Sequence, residues 1–388
     1  MSSEATILDF TFEAEVVADD RVAARRSIVR QLLYTQGALR TASKASGQVG
    51  NVKLSSVTES ALGDKKRIAY RASMPVAWPK GAPSPAQYEL VLPRDATALT
   101  AFNRKYDGYC GKSQYGPDNF WHDFDPRGKS CALDPADVTR ASVTVAPHAE
   151  SAVEKYPEYH RIWEDGRLDV VAIFGVIESN DTSDWGYTEA GRFADAVARQ
   201  LTKPSAVRRR TSRSIFDDTT VSGKATVGGM ELDVEVDVLV VGMLAQAGPD
   251  FDARYEPLSA KADMILYNGH AQLGANTNAL SRKGRIVRDK YQLVLLNGCE
   301  SFALVDTTMN DRRREVNGAS DPKGTRFLDV VSNARPGYAN NLATISNTLF
   351  SAALRADTPR HYRDLITTMP ESHVVVVWGE EDNGFTPP

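Results

Sequence analysis

Two stretches decide how this chain is read: "ADMILYNGHAQLGANTNAL" at 262–280 and "DKYQLVLLNGCESFALVD" at 289–306. Each drives an apolar run of strand length into Asn-Gly and then into a reactive side chain, His270 in the first and Cys299 in the second. Runs that stay apolar instead of alternating belong to strands buried on both faces of a sheet. The same grammar recurs in "LDVVAIFGVI" (168–177), "VDVLVVGML" (236–244), "FLDVVS" (327–332) and "HVVVVWG" (373–379). Between these runs lie helical faces: Phe193, Val197 and Leu201 recur at fourfold spacing, and Leu342, Ile345, Leu349 and Ala353 share one side. The pattern predicts an α/β domain over 168–388 with a mostly parallel six-stranded sheet. The segment "TTVSGKATVGGMELDVEV" (219–236) reads as a hairpin inserted into it.

Residues 1–145 read as a separate α+β accessory domain of no assigned role. An alternating "ILDFTFEAEVV" opens it, a helix follows from about residue 20 with Val22, Ile28, Leu32 and Leu33 inward, and strands follow near 51–59, 66–77 and 87–93. Within it, "DNFWHDFDP" (118–126) sets aromatics among Asp118, His122, Asp123 and Asp125. These side chains suit a metal, but their alternation is better read as a strand with one aromatic and one acidic face, so no metal site is expected. Residues 146–167 are polar, lack an apolar stripe and read as a linker or short connecting helix.

Of the 388 residues 42% are hydrophobic and 25% charged, with a formal net charge of −4, the balance of a globular protein without the excess of Lys and Arg that a nucleic-acid surface needs. The one dense basic run, "VRRRTSR" (207–213), reads as a solvated helix end or flexible loop, with a protease-sensitive processing loop as the sharper alternative. No window approaches a membrane span and the first residues lack a signal-peptide pattern, so a cytoplasmic location is the default expectation. Against that default stand Cys110 and Cys131. Bonded, they would close a 21-residue loop, contribute about 3 kcal/mol and imply export to an oxidising compartment; unbonded, they fit a reducing cytosol.

In open α/β sheets the active crevice lies beyond the carboxyl ends of the strands. His270 and Cys299 each follow such an end by two or three residues, and Gly269 and Gly298 would supply the backbone angles that let each strand stop and expose the next side chain. A thiol beside an imidazole is a nucleophile with its own proton donor. An inert buried Cys with a surface His is the bland reading; placement at two strand ends of one sheet favours the dyad. An α/β-hydrolase would need the nucleophile inside Gly-x-Ser/Cys-x-Gly and ahead of its His, and "NGCES" fits neither condition. A nitrilase-like enzyme would want Lys and Glu associated with the Cys, an arrangement this sequence does not offer.

At these residues the sequence resembles the caspase-like (clan CD) cysteine peptidases, which include caspases, gingipain- and clostripain-type enzymes, separases and CHAT domains. The resemblance rests on a hydrophobic strand leading to His270 and another leading to Cys299, and it extends over 168–380, with "SNARPGYAN" (332–340) similar to the segment that flanks the substrate and Cys299-Glu300 closest to the CHAT type. It implies a caspase-like three-layer sandwich and a cysteine endopeptidase acting on a protein or peptide, without a metal or organic cofactor. The implied oxyanion donors are the backbone amides of Ala271 and Cys299. The family usually has Gly directly after the histidine, where this chain has Ala271. Glu300, Asn333 and Tyr338 would lie along the substrate. The loop after the first strand, "ESNDTSDWGYTE" (178–189), holds Glu178, Asp181, Asp184 and Glu189 and no Lys or Arg. Either these acids favour cleavage after a basic residue, with Trp185 as a pocket wall, or they cap the following helix while Trp185 packs. A catalytically inactive member that holds a peptide or regulates is the alternative to the enzyme.

Overall fold

The computed structural model describes residues 5–112, 121–148, 155–177, 182–209, 211–370 and 373–387. The chain divides into two compact units, Glu4–Ala149 and Glu150–Pro388.

In the first unit the strands β1 (Ala5–Asp19), β2 (Ser46–Gly47), β3 (Lys53–Leu62), β4 (Lys65–Pro79), β5 (Gln87–Pro93) and β6 (Val138–Pro147) form one antiparallel sheet in the order β2-β4-β1-β6-β5, with β3 also on β4. Alternation along β1 buries Leu8, Phe10, Phe12 and Val16, and Ile28 and Leu32 of the helix Ala24–Leu32 pack into the same core. The segment 118–126, expected as a strand with one aromatic and one acidic face, is not one where it is described. Trp121 and Phe124 turn into a separate cluster with Tyr34, Phe102, Tyr106 and Cys110, while Asp118 lies outside the described residues. Gly37 shows how tight that seat is, since a Cβ there would lie 2.4 Å from the Phe124 nitrogen. Among the described residues no group of three or more acids, His or Cys is arranged to hold a metal.

The second unit holds β7 (Arg167–Gly175), β8 (Thr202–Arg208), β9 (Ile215–Val227), β10 (Met230–Val241), β11 (Met264–Asn268), β12 (Gln292–Asn297), β13 (Leu328–Asn333) and β14 (Val375–Trp378). They make one eight-stranded mixed sheet in the order β14-β13-β12-β11-β7-β10-β9-β8. This corrects the expected caspase-like sandwich on a mostly parallel six-stranded sheet. β10, β7, β11, β12 and β13 run parallel, but β14 closes one edge antiparallel, and β9 and β8 extend the other edge antiparallel. The physical reason lies in the hairpin read as an insertion. Its two-residue turn, Gly228-Gly229, has both glycines in the left-handed region (φ 56 and 80), so β9 returns against β10 with Val227 opposite Met230. Its second arm continues without a break into the run at 236–241, so the hairpin is the edge of the sheet itself.

Helices cover both faces, which is why the central strands carry runs such as 170–175 and 293–296 that are apolar without alternation. Phe193 and Val197 of the helix Trp185–Gln200 and Leu349 and Phe350 of the helix Leu342–Ala353 share a core with Phe174, Val238, Leu266 and Leu295. Tyr255, Leu280 and Met309, from three other helices, meet Ile265 and Val294 on the opposite face. No helix among the described residues is long and apolar enough to cross a membrane.

Cys110 and Cys131 are joined in a disulfide. With its ends 21 positions apart in sequence, the bond should stabilise the first unit by about 3 kcal/mol through the unfolded state. Urea unfolding of Cys110→Ala/Cys131→Ala should therefore show a loss of that order, and intact mass under non-reducing alkylation should show one alkylatable thiol, Cys299. Three alkylatable thiols and an unchanged midpoint would contradict the linkage.

Candidate functional site

The last residues of β11, β12 and β13 are all asparagines, and all three are buried. Asn268 sits opposite Asn297 in register, and Leu296 opposite Ser332 brings Asn333 alongside. Their amides form a ladder: Asn333 Nδ2 donates to Asn297 Oδ1 (2.8 Å), and Asn297 Nδ2 donates to Asn268 Oδ1 (2.9 Å). Ser346 Oγ, from the helix Leu342–Ala353, also donates to Asn268 Oδ1 (3.0 Å). A carboxylate in this place would bury charge and a leucine would offer no donor; a primary amide is neutral and both gives and accepts. Asn333, expected beside the substrate, thus has its amide nitrogen in this ladder, and its backbone N–H is held by Ser301 Oγ (3.0 Å).

The glycines that follow are required for room. A Cβ on Gly269 would lie 2.9 Å from Gly175 Cα, and one on Gly298 would lie 3.0 Å from the Gly269 oxygen and 3.2 Å from the Ala271 nitrogen. Gly298 is not in the left-handed region, so the expected reason for it, freedom of backbone angle, gives way to close approach across strands. The left-handed residues come just afterwards. Gln272 (φ 48), Leu273 (φ 51) and Glu300 (φ 53) are three of the six non-glycine residues with positive φ among those described. Such conformations cost of the order of 1 kcal/mol or more each, and here they cluster within three residues of His270 and Cys299.

His270 and Cys299 are both exposed, two residues beyond paired ends of adjacent parallel strands. The His270 carbonyl is held from one side by Tyr267 Oη and Asn276 Nδ2, each donating at 2.8 Å, and Asn276 Oδ1 accepts from Ala245 N–H (3.0 Å). In a trans peptide the N–H points opposite to the C=O, so this clamp turns the Ala271 N–H away from Tyr267. Its nitrogen lies against Gly298, and neither Ala271 N–H nor Cys299 N–H has an acceptor among the described residues. Among the described residues the thiol's one hydrogen-bond acceptor is the Gly337 carbonyl, 4.0 Å from Sγ, and no hydrogen bond joins the thiol to the imidazole.

The turn carrying the thiol is fixed from below and from the side. Ser301 Oγ donates to the Leu296 carbonyl (2.5 Å), and buried Glu300 directs its N–H to the Arg335 carbonyl (3.2 Å). Tyr338 is exposed, with its N–H donated to His373 Nε2 (3.2 Å) and its ring edge-on to that imidazole. Burial lowers the pKa of His373, which agrees with a neutral ring accepting at Nε2.

The acids of the loop after β7 go largely to helix ends. Asp184 Oδ1 accepts from Gly186 N–H (2.7 Å) as the N-cap of the helix Trp185–Gln200, and Oδ2 accepts from Ile177 N–H (3.2 Å). Glu189, buried, accepts from Ala343 N–H (2.9 Å) in the first turn of another helix and pairs with Arg192. Trp185 is half exposed, while Glu178 and Asp181 lie outside the described residues. The basic run divides: Val207 and Arg208 close the edge strand β8, Arg208 pairs with Asp217 and Arg209 lies within ion-pair reach of Asp218 and Asp237, while residues 211–213 form an exposed irregular segment and Arg210 lies outside the described residues.

A scan against models of known families matches none, and comparison with curated proteins finds no significant relative.

Sequence reasoning singled out the two strand-end residues but missed Tyr267, Asn276, Gly337, Ser346 and His373, which hold the surrounding backbone. Removing the middle rung should expose the ladder's importance. Asn297→Ala leaves Asn333 Nδ2 without its acceptor and should cost about 2–3 kcal/mol, whereas Ser346→Ala leaves Asn268 Oδ1 one donor and should cost about 1 kcal/mol. Urea midpoints of the two variants check the order; equal costs would contradict it.

Proposed function

We propose that this chain is a cysteine endopeptidase in which Cys299 is the nucleophile and His270 the proton carrier. The observation that carries the reading is the exposed thiol and exposed imidazole just beyond paired ends of adjacent parallel strands, beside two backbone N–H groups with no acceptor among the described residues. Cys299 gives its thiol proton to His270, its Sγ bonds to the substrate carbonyl carbon, the carbon–nitrogen bond breaks, and His270 delivers that proton to the leaving amine. Water then adds to the thioester, releasing the carboxylate fragment and restoring the thiol. Ala271 and Cys299 N–H donate to the oxyanion, each worth about 3 kcal/mol in enzymes where such a donor has been removed. The Cys110–Cys131 bond supports work in an oxidising compartment.

Because Asp184 and Glu189 have their oxygens engaged at helix ends, a preference for a basic residue before the cut has to come from Glu178 or Asp181. The second reading, a peptide-holding module without turnover, is favoured by the missing thiol–imidazole hydrogen bond; dyads that are loose without substrate are, however, common.

Peptide acyloxymethyl ketones identical but for Arg, Lys, Asp, Leu or Gln at the residue before the warhead separate these readings. We expect Cys299 to be labelled, labelling to vanish in Cys299→Ala, and its rate to fall about 100-fold in His270→Ala. Gly298→Ala, whose methyl meets the Ala271 nitrogen, should slow it about 10-fold or more. A rate unchanged in His270→Ala would establish the non-catalytic module, and an Asp probe faster than Arg would remove the basic preference alone.

A further inference from the structure

On the sheet face opposite the helix Leu342–Ala353, beneath β11 and β12, lies a cavity of about 30 Å³. Lys283, Arg285, Arg312 and Arg313 contribute to its wall, and no described carboxylate does. Two of these cations are engaged elsewhere. Arg312 donates to the carbonyls of Ser281, Lys283 and Gly284 at 2.7–2.9 Å, and Lys283 Nζ is bonded to Asp252 (2.7 Å) and the Ala247 carbonyl (3.1 Å).

Arg313 differs. It is 4% exposed, its Nη2 donates to Gln292 Oε1 (2.6 Å), and its Nε has no partner. No described carboxylate lies within ion-pair distance of it. Tyr255, a buried residue on the same wall, makes no hydrogen bond through its hydroxyl among the described residues. Burial lowers the Arg313 pKa to about 10 and raises that of Tyr255, yet at neutral pH the guanidinium stays charged. Asp321 acts on it only from beyond ion-pair distance, and a buried cation with no paired carboxylate is disfavoured. A water molecule would fill a hydrogen bond but would add no negative charge against the four cations of this wall.

We propose that this cavity binds a small monovalent anion of about chloride's size, held by Arg313 Nε–H and Tyr255 O–H. The volume suits one or two waters or one such ion. The anion ties the helix Thr308–Asn317, which carries Arg313, and the helix Pro249–Lys261, which carries Tyr255, to the two strands that lead to His270 and Cys299. The site stands independently of the peptidase reading, since it uses none of that machinery.

The test is thermal unfolding of the full chain in sodium chloride against sodium gluconate at constant ionic strength. We expect a saturable rise in melting temperature of about 4 °C or more in chloride, absent in Arg313→Gln. Equal melting temperatures of the unaltered chain in the two salts, or the same chloride effect in the variant, would overturn the proposal. Should Arg313→Gln fail to fold, crystals of the unaltered chain soaked in bromide decide: an anomalous peak within hydrogen-bond reach of Arg313 Nε supports the site, and its absence refutes it.

Discussion

Buried amides at the carboxyl ends of β11, β12 and β13 bond to one another in a chain that leaves only the Asn333 side-chain oxygen without a partner, and that constraint sets everything above them. The ladder from Asn333 through Asn297 to Asn268, closed by Ser346, locks three parallel strands in register at the point where they stop. An unpaired amide at this depth would cost about 1–3 kcal/mol, so a slip of one strand is strongly disfavoured. With the register fixed, Gly269 approaches its neighbour more closely than a side chain allows, and Gly298 leaves room for one only if the facing backbone gives way. The turns that follow start from defined positions.

From there the backbone is directed one group at a time. Tyr267 and Asn276 take the His270 carbonyl, and the planarity of the peptide turns the Ala271 N–H toward the Cys299 turn. Left-handed Glu300 and the Ser301 hydroxyl shape that turn, leaving the thiol exposed next to Gly337. The strain at Gln272, Leu273 and Glu300 is held by these contacts. An arrangement that keeps two amides unsatisfied beside an exposed thiol and imidazole suits an anionic intermediate better than it suits simple packing.

Much of this was legible in the sequence, and the reasons it was or was not are local. The runs ending at Asn268 and Asn297 marked two buried strands, and Asn333 was a third instance of the same ending. Periodicity could not tell what those amides bond to, because that depends on which strands are neighbours. The sheet's edges were misjudged for a related reason: the run at 236–241 looks complete alone, and only the left-handed Gly228-Gly229 turn makes it one long arm of a hairpin that adds antiparallel strands. The acids at 178–189 were compatible with a pocket or with capping, and for Asp184 and Glu189 the bonds go to helix amides. Arg313 gave no signal, since a cation in a polar helical segment normally faces water.

The central claim is that the amides of Ala271 and Cys299 converge on the atom that Cys299 would make negative. A crystal structure of the chain bound to a peptide aldehyde tests it directly. The account predicts a covalent adduct on Cys299 Sγ whose oxygen lies about 2.7–3.1 Å from both nitrogens. An adduct oxygen turned away from Ala271 toward solvent, or no bond to Cys299 at all, would contradict it.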